Sequence, residues 1–176
     1  DQAIPPALHV EIDDAGITIS DNGPGIAPDT VANILDYSIR VSSREAYVAP
    51  CRGAQGNALK TLIAMPYVLD GDQGKVEIEA LGIRHVITCR VDRLRQMPVI
   101  DHDQEPGFVK NGTRFALHWP QSATFLRARS PRILQMLETF AVLNPHLTLT
   151  GALPDLDNLD PAGRRIRLSA KAVLEA

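Results

Sequence analysis

Asp21-Asn22-Gly23-Pro24-Gly25-Ile26 and Gly53-Ala54-Gln55-Gly56-Asn57-Ala58-Leu59-Lys60 decide how this chain reads. The first is an acidic, glycine-rich turn directly after the strand-like run Ile17-Thr18-Ile19-Ser20. A carboxylate at a strand end can accept a hydrogen bond from the exocyclic amine of adenine, whereas guanine offers a carbonyl oxygen there. A hydrogen bond to a charged group is worth roughly 1.5–3 kcal/mol, enough to choose between bases. Gly23 and Gly25 let a ring approach the backbone and tolerate positive φ, and Pro24 stiffens the turn between them. Taken alone, the stretch reads equally well as a tight turn after a strand.

The second stretch is a glycine-rich turn before a helical run. Free amides at a helix N-terminus bind phosphate oxygens, aided by the helix dipole. Glycines at 53 and 56 let the loop wrap closely around such a group. By itself the stretch also reads as a helix start with incidental glycines. Lys60, one turn in, is placed either to reach a phosphate or to sit in solvent. A third element, Asn111-Gly112-Thr113-Arg114-Phe115, opens a strand with a threonine hydroxyl, which could hold a water against a base and Asp21 or simply reflect β-propensity.

Around these stretches the periodicity is mixed. Leu8, Val10 and Ile12 alternate with polar residues, as do Ile17 and Ile19, with Asp14-Ala15-Gly16 between them: a hairpin. Pro28-Asp29 opens a helix bearing Val31, Ile34 and Leu35, and a second helix begins near Asn57 and is expected to stop at Pro66. Residues 40–55 lose periodicity and read as a lid. The runs 75–81 and 84–92 form a hairpin about Gly82, and 113–119 a further strand. Ser130-Pro131 starts a helix that the serine should cap and Asn144-Pro145 should end. Runs 147–150 and 165–168 form a final strand pair. The order favours an α+β fold, a two-layer α/β sandwich whose mixed, mostly antiparallel sheet carries helices on one face.

The 176 residues, 44% of them hydrophobic, suffice for one domain, taken as 1–170 with a short tail at 171–176. A net charge of −3 excludes a chain-wide basic surface, so direct DNA binding is not supported; the clusters Arg127/Arg129/Arg132 and Arg164/Arg165/Arg167 read first as solvated side chains. Cys51 and Cys89 lack metal-ligand spacing and read as reduced thiols, which places the chain in the cytoplasm. The chain opens at Asp1 without a methionine, and reads as a piece of something longer.

The joint order of acidic glycine turn, helix, lid, glycine turn, helix and Gly-Thr strand resembles the ATP-binding domain of the GHKL ATPases. Within that superfamily it is most similar to the B subunit of topoisomerase VI and its bacterial relatives. The resemblance rests on Ser42-Ser43-Arg44, Arg52-Gly53-Ala54-Gln55-Gly56 and Leu143-Asn144-Pro145-His146 beside the DNGPGI turn, and covers most of residues 8–150. It implies that Asp21 binds the adenine amine, with Asn22, Gly23 and Ile26 in the same turn and Gly25 beneath the base. Thr113 would support a water network. Gly53, Ala54, Gln55, Gly56, Asn57 and Lys60 would meet the phosphates, with Ser42, Ser43 and Arg44 in an ATP lid over 40–55. ATP and Mg²⁺ are the implied cofactors. A homodimer formed through further regions and a partner protein subunit are the implied partners.

One departure is large. The family places a helix with a water-activating glutamate and a magnesium-binding asparagine before the first hairpin, and Asp1–Pro6 leaves no room for it. The expectation is therefore ATP hydrolysis in the intact parent and no catalytic residue in this stretch. Two other readings share the same turns: a phosphotransfer module like that of a sensor histidine kinase, and a non-catalytic nucleotide sensor.

Overall fold

The computed structural model describes residues 4–35, 58–154 and 166–168. Eight strands form one sheet: β1 (Ala7–Ile12), β2 (Gly16–Asp21), β3 (Gln73–Ala80), β4 (Ile83–Asp92), β5 (Met97–Pro106), β6 (Thr113–His118), β7 (Thr148–Ala152) and β8 (Ile166–Leu168). Their order across the sheet is β5-β4-β3-β6-β2-β1-β7-β8, and among these neighbours β1 and β7 alone run parallel. The helices are α1 (Pro28–Ile34), α2 (Ala58–Asp70), α3 (Ser122–Arg127) and α4 (Ser130–Leu143). They pack on one face of the mostly antiparallel sheet, as the sequence pattern requires.

Register explains which face is which. Val10 pairs with Ile19 and Ile12 with Ile17; Ile19 pairs with Phe115, which pairs with Ile78. Paired residues project to the same side, so one face is apolar from β1 through β2 and β6 to β3. The intervening positions put His9, Thr18, Arg114, Glu77 and Glu79 on the other face. The apolar face carries two clusters. One joins Val10, Ile12 and Leu149 to Leu137 of α4; the other joins Val76, Ile78 and Ile87 to Val31 and Ile34 of α1 and Ile63 of α2. Between them, at the middle of the sheet, Ile19 remains 37% exposed.

Four features depart from the sequence expectation. α2 does not stop at Pro66 but runs through it to Asp70. A proline inside a helix loses one backbone bond and crowds the preceding turn. Here the ring is fully buried, and Gly74 of β3 lies so close that a Cβ on it would overlap the Pro66–Tyr67 peptide. Close packing of helix on strand offsets the lost bond. Ser130 does not cap α4: it lies inside the first turn, fully buried, and its hydroxyl has no hydrogen-bond partner among the described residues. The residue at the cap position is Arg129.

β5 was not expected. Its sequence, Met97-Pro98-Val99-Ile100-Asp101-His102-Asp103-Gln104-Glu105-Pro106, is charged and proline-flanked, which is tolerated because it forms the sheet edge. The short α3 was also unexpected. It is held by the β1–β2 turn, where Ala123 N donates to Asp13 O at 3.2 Å and the Ser122 hydroxyl donates to the same oxygen.

Candidate functional site

β2 and β6 are neighbours, and Ser20 pairs with Arg114, which sets Asp21 and Thr113 at the same end of adjoining strands. Asp21 is exposed, and its Oδ1 accepts a hydrogen bond from Gly23 N at 2.7 Å. That bond closes the turn on its own carboxylate, the usual Asx arrangement, and does not involve Oδ2. Gly25 follows with φ at 82°, the conformation that favours glycine. Ile26 packs against the Val31–Ile63 cluster and ties the turn to the helical layer. Thr113 is buried at the start of β6.

Asn22 has a structural task. Its Oδ1 accepts from Ala7 N and its Nδ2 donates to Pro5 O, both at 2.8 Å. The side chain therefore fastens the segment before β1 to the turn after β2. Lys60 is 6% exposed in the first turn of α2, so of its two expected placements the solvated one does not hold. Ser42, Ser43, Arg44, Gly53, Ala54, Gln55, Gly56 and Asn57, and with them the lid, lie outside the described residues.

A cavity of about 520 Å³ opens beside the turn. It is lined by Asp21, Asn22 and Gly23 of the turn, by Pro6, Ala7 and Leu8 at the start of β1, and by Phe140, Leu143 and Asn144-Pro145-His146-Leu147 at the end of α4 and just after it. The parallel pairing of β7 with β1 produces this meeting: Thr148 pairs with Ala7, so the loop from α4 into β7 arrives beside the start of β1 and the end of β2. The lining is mostly apolar, with a carboxylate at its rim, an environment suited to a flat ring with one polar edge. The residues 143–147 were legible as a motif but not as a site wall, because nothing in the local pattern shows that they face a turn about 120 positions away.

The end of the sheet beside the turn is closed by glycines. Gly112 has φ at 82°, and a Cβ there would overlap the Asp21 carbonyl oxygen. The β5–β6 connection is thus packed directly on the backbone of the acidic turn. No group of three or more His, Cys, Asp or Glu side chains among the described residues is placed to hold a metal ion.

No family model matches the chain. It is 28% identical over 151 residues to the B subunit of type 2 DNA topoisomerase 6 from Natronomonas pharaonis, a match covering 80% of this chain and 18% of that protein. The same subunit from Methanococcoides burtonii is 26% identical over 176 residues, covering 95% of this chain and 28% of the relative. Over most of its length the chain is similar in sequence to the B subunit of topoisomerase VI. It spans less than a third of the length of these relatives. Among solved structures, the topoisomerase IV ATP-binding domain of Francisella tularensis is similar at 14% identity and a TM-score of 0.48, over 94% of this chain and 76% of that one.

Away from the cavity, the sheet carries two groupings of titratable side chains. Glu77 is nearly buried on the face away from the helices, with Lys75 Nζ at 2.8 Å, Arg84 Nη2 at 2.8 Å and His118 Nε2 at 2.9 Å. Burial pushes its carboxyl up, but hydrogen bonds and charge from Lys75 and Arg84 outweigh this and hold it lowered to about 2. On the helix-facing side, His85 is fully buried and stacked on His102, with Nδ1 2.9 Å from Nε2 of its neighbour. Its own Nε2 has no hydrogen-bond partner among the described residues. Burial, and then the charge His102 would carry, lower its pKa. The Cys89 thiol is free and buried, and burial pushes its pKa up, which favours the neutral thiol.

Proposed function

We propose that this chain is an ATP-binding module. In this reading Asp21 accepts the exocyclic amine of adenine, the purine enters the cavity between the Asp21-Asn22-Gly23 turn and the end of α4, and residues within 42–60 meet the phosphates. The observation that carries the reading is the joining of Asp21 to an apolar cavity walled by Phe140 and Asn144-Pro145-His146. Kinship with a topoisomerase subunit supports it. In the intact protein, binding and hydrolysis of Mg-ATP would drive dimerisation or a change in a partner subunit, in the cytoplasm. The described residues offer no acidic cluster for magnesium. No step through the metal is therefore assigned to them.

The test is calorimetric titration of the full-length protein with a non-hydrolysable ATP analogue and Mg²⁺, with the GTP analogue as control. Asp21→Asn should weaken the adenine nucleotide by about tenfold, through loss of one charge-assisted bond. Equal affinity in wild type and variant would sink the adenine assignment.

A further inference from the structure

The connection from β5 to β6, residues 107–112, reaches the acidic turn with little apolar anchoring of its own. Phe108 is 93% exposed, and Lys110 and Asn111 are exposed as well. Val109 is only half-buried, so hydrogen bonds carry much of the anchoring of this segment. Gly107 N donates to Gly82 O and Gly82 N to Val109 O, both at 2.8 Å, stitching the loop to the β3–β4 turn. The remaining anchor is Glu79 of β3, whose Oε1 accepts from two successive amides, Phe108 N and Val109 N, the second at 2.9 Å. Glu79 is nearly buried and lies opposite Arg114 in the sheet, yet forms no ion pair with it or with any other cation among the described residues. Its carboxylate is committed to the loop backbone.

The far end of that loop is Gly112, packed on the Asp21 carbonyl and near Asn22 Cα. Its own carbonyl oxygen lies 3.2 Å from where a Cβ of Gly25 would stand. A continuous run of close contacts therefore leads from Glu79 through the loop to both ends of the acidic turn. We infer that Glu79 is a positioning residue for the nucleotide site, holding the 107–112 loop so that Gly112 fixes the Asp21 turn. This rests on the ATP-binding reading. The requirement is geometric: an acceptor oxygen at the reach of a glutamate. A glutamine keeps that oxygen and loses the charge. An aspartate keeps the charge and falls short by about 1.5 Å, one carbon–carbon bond.

The experiment uses full-length protein carrying Glu79→Gln or Glu79→Asp, with Glu77→Gln as a control on the same strand and face. Affinity for the ATP analogue is measured well below each variant's unfolding temperature, and hydrogen–deuterium exchange is followed in peptides covering residues 21–25 and 107–113. Glu79→Asp should lose about tenfold in affinity and exchange faster in both peptides. Glu79→Gln should stay within about threefold of wild type, and Glu77→Gln should bind as wild type does. Wild-type affinity and exchange in Glu79→Asp would overturn the inference, as would equal losses in all three variants, which would mark general destabilisation. If wild type itself binds no nucleotide, the ATP reading fails. The exchange data then decide the inference alone: faster exchange in both peptides of Glu79→Asp supports the brace, and unchanged exchange refutes it.

Discussion

Replacing Glu77 by glutamine should flatten the acid limb of this protein's stability. The carboxyl is lowered from 4.5 to about 2 in the folded state. A depressed carboxylate stabilises the fold fully above its unfolded pKa, and that contribution is lost as pH falls from about 4.5 toward 2. At 1.36 kcal/mol per unit the shift corresponds to about 3 kcal/mol. The partners are partly in water: the Arg84 and Lys75 side chains are 32% and 41% exposed. Solvent screening reduces the expected contribution to about 2 kcal/mol. Urea unfolding of wild type and Glu77→Gln at pH 7, 4.5 and 3 measures it. Wild type should be more stable by about 2 kcal/mol at pH 7, with the gap shrinking between pH 4.5 and 3. Parallel curves at all three pH values would refute the assignment of this stability to the Glu77 charge.

Gly112→Ala combines positive φ with overlap on the Asp21 carbonyl, and should cost about 2 kcal/mol or more, a fall of roughly 4–8 °C in Tm; an unchanged Tm would contradict the close approach. Because burial and then the neighbouring His102 lower the His85 pKa, stability is complete above about pH 6.5 and falls as pH drops below it. An NMR titration should place the His85 midpoint below the ordinary histidine value, and a midpoint at or above 6.5 would show that the ring is not buried as described.

Much of the fold was legible because its signals are local. The alternation through Leu8, Val10, Ile12, Ile17 and Ile19 needs only a period of two, and the β3–β4 hairpin only a turn at Leu81-Gly82 between alternating runs. β5 failed the same test because an edge strand exposes both its side chains and one row of backbone groups, so it can be charged. Pro66 misled for the opposite reason: the propensity against a mid-helix proline is overruled by packing against Gly74, a contact made across the layer. Ser130-Pro131 is a strong helix start, but a cap requires the serine one position earlier than the structure places it.

The candidate site divides along the same line. By itself the sequence determined the acidic glycine turn after a strand, because Asp21, Gly23 and Gly25 act through backbone geometry within five residues. It also determined the order of elements that implied an α+β sandwich. Only the tertiary structure decided that the turn faces Phe140 and Asn144-Pro145-His146 across a cavity, that Asn22 is occupied in tying down the chain before β1, and that Glu79 braces the loop behind Asp21. Those placements follow from the parallel β1–β7 pairing and the insertion of β6 between β2 and β3. Strand order is set by which apolar faces can be buried together, a property of the whole sheet that no single segment carries.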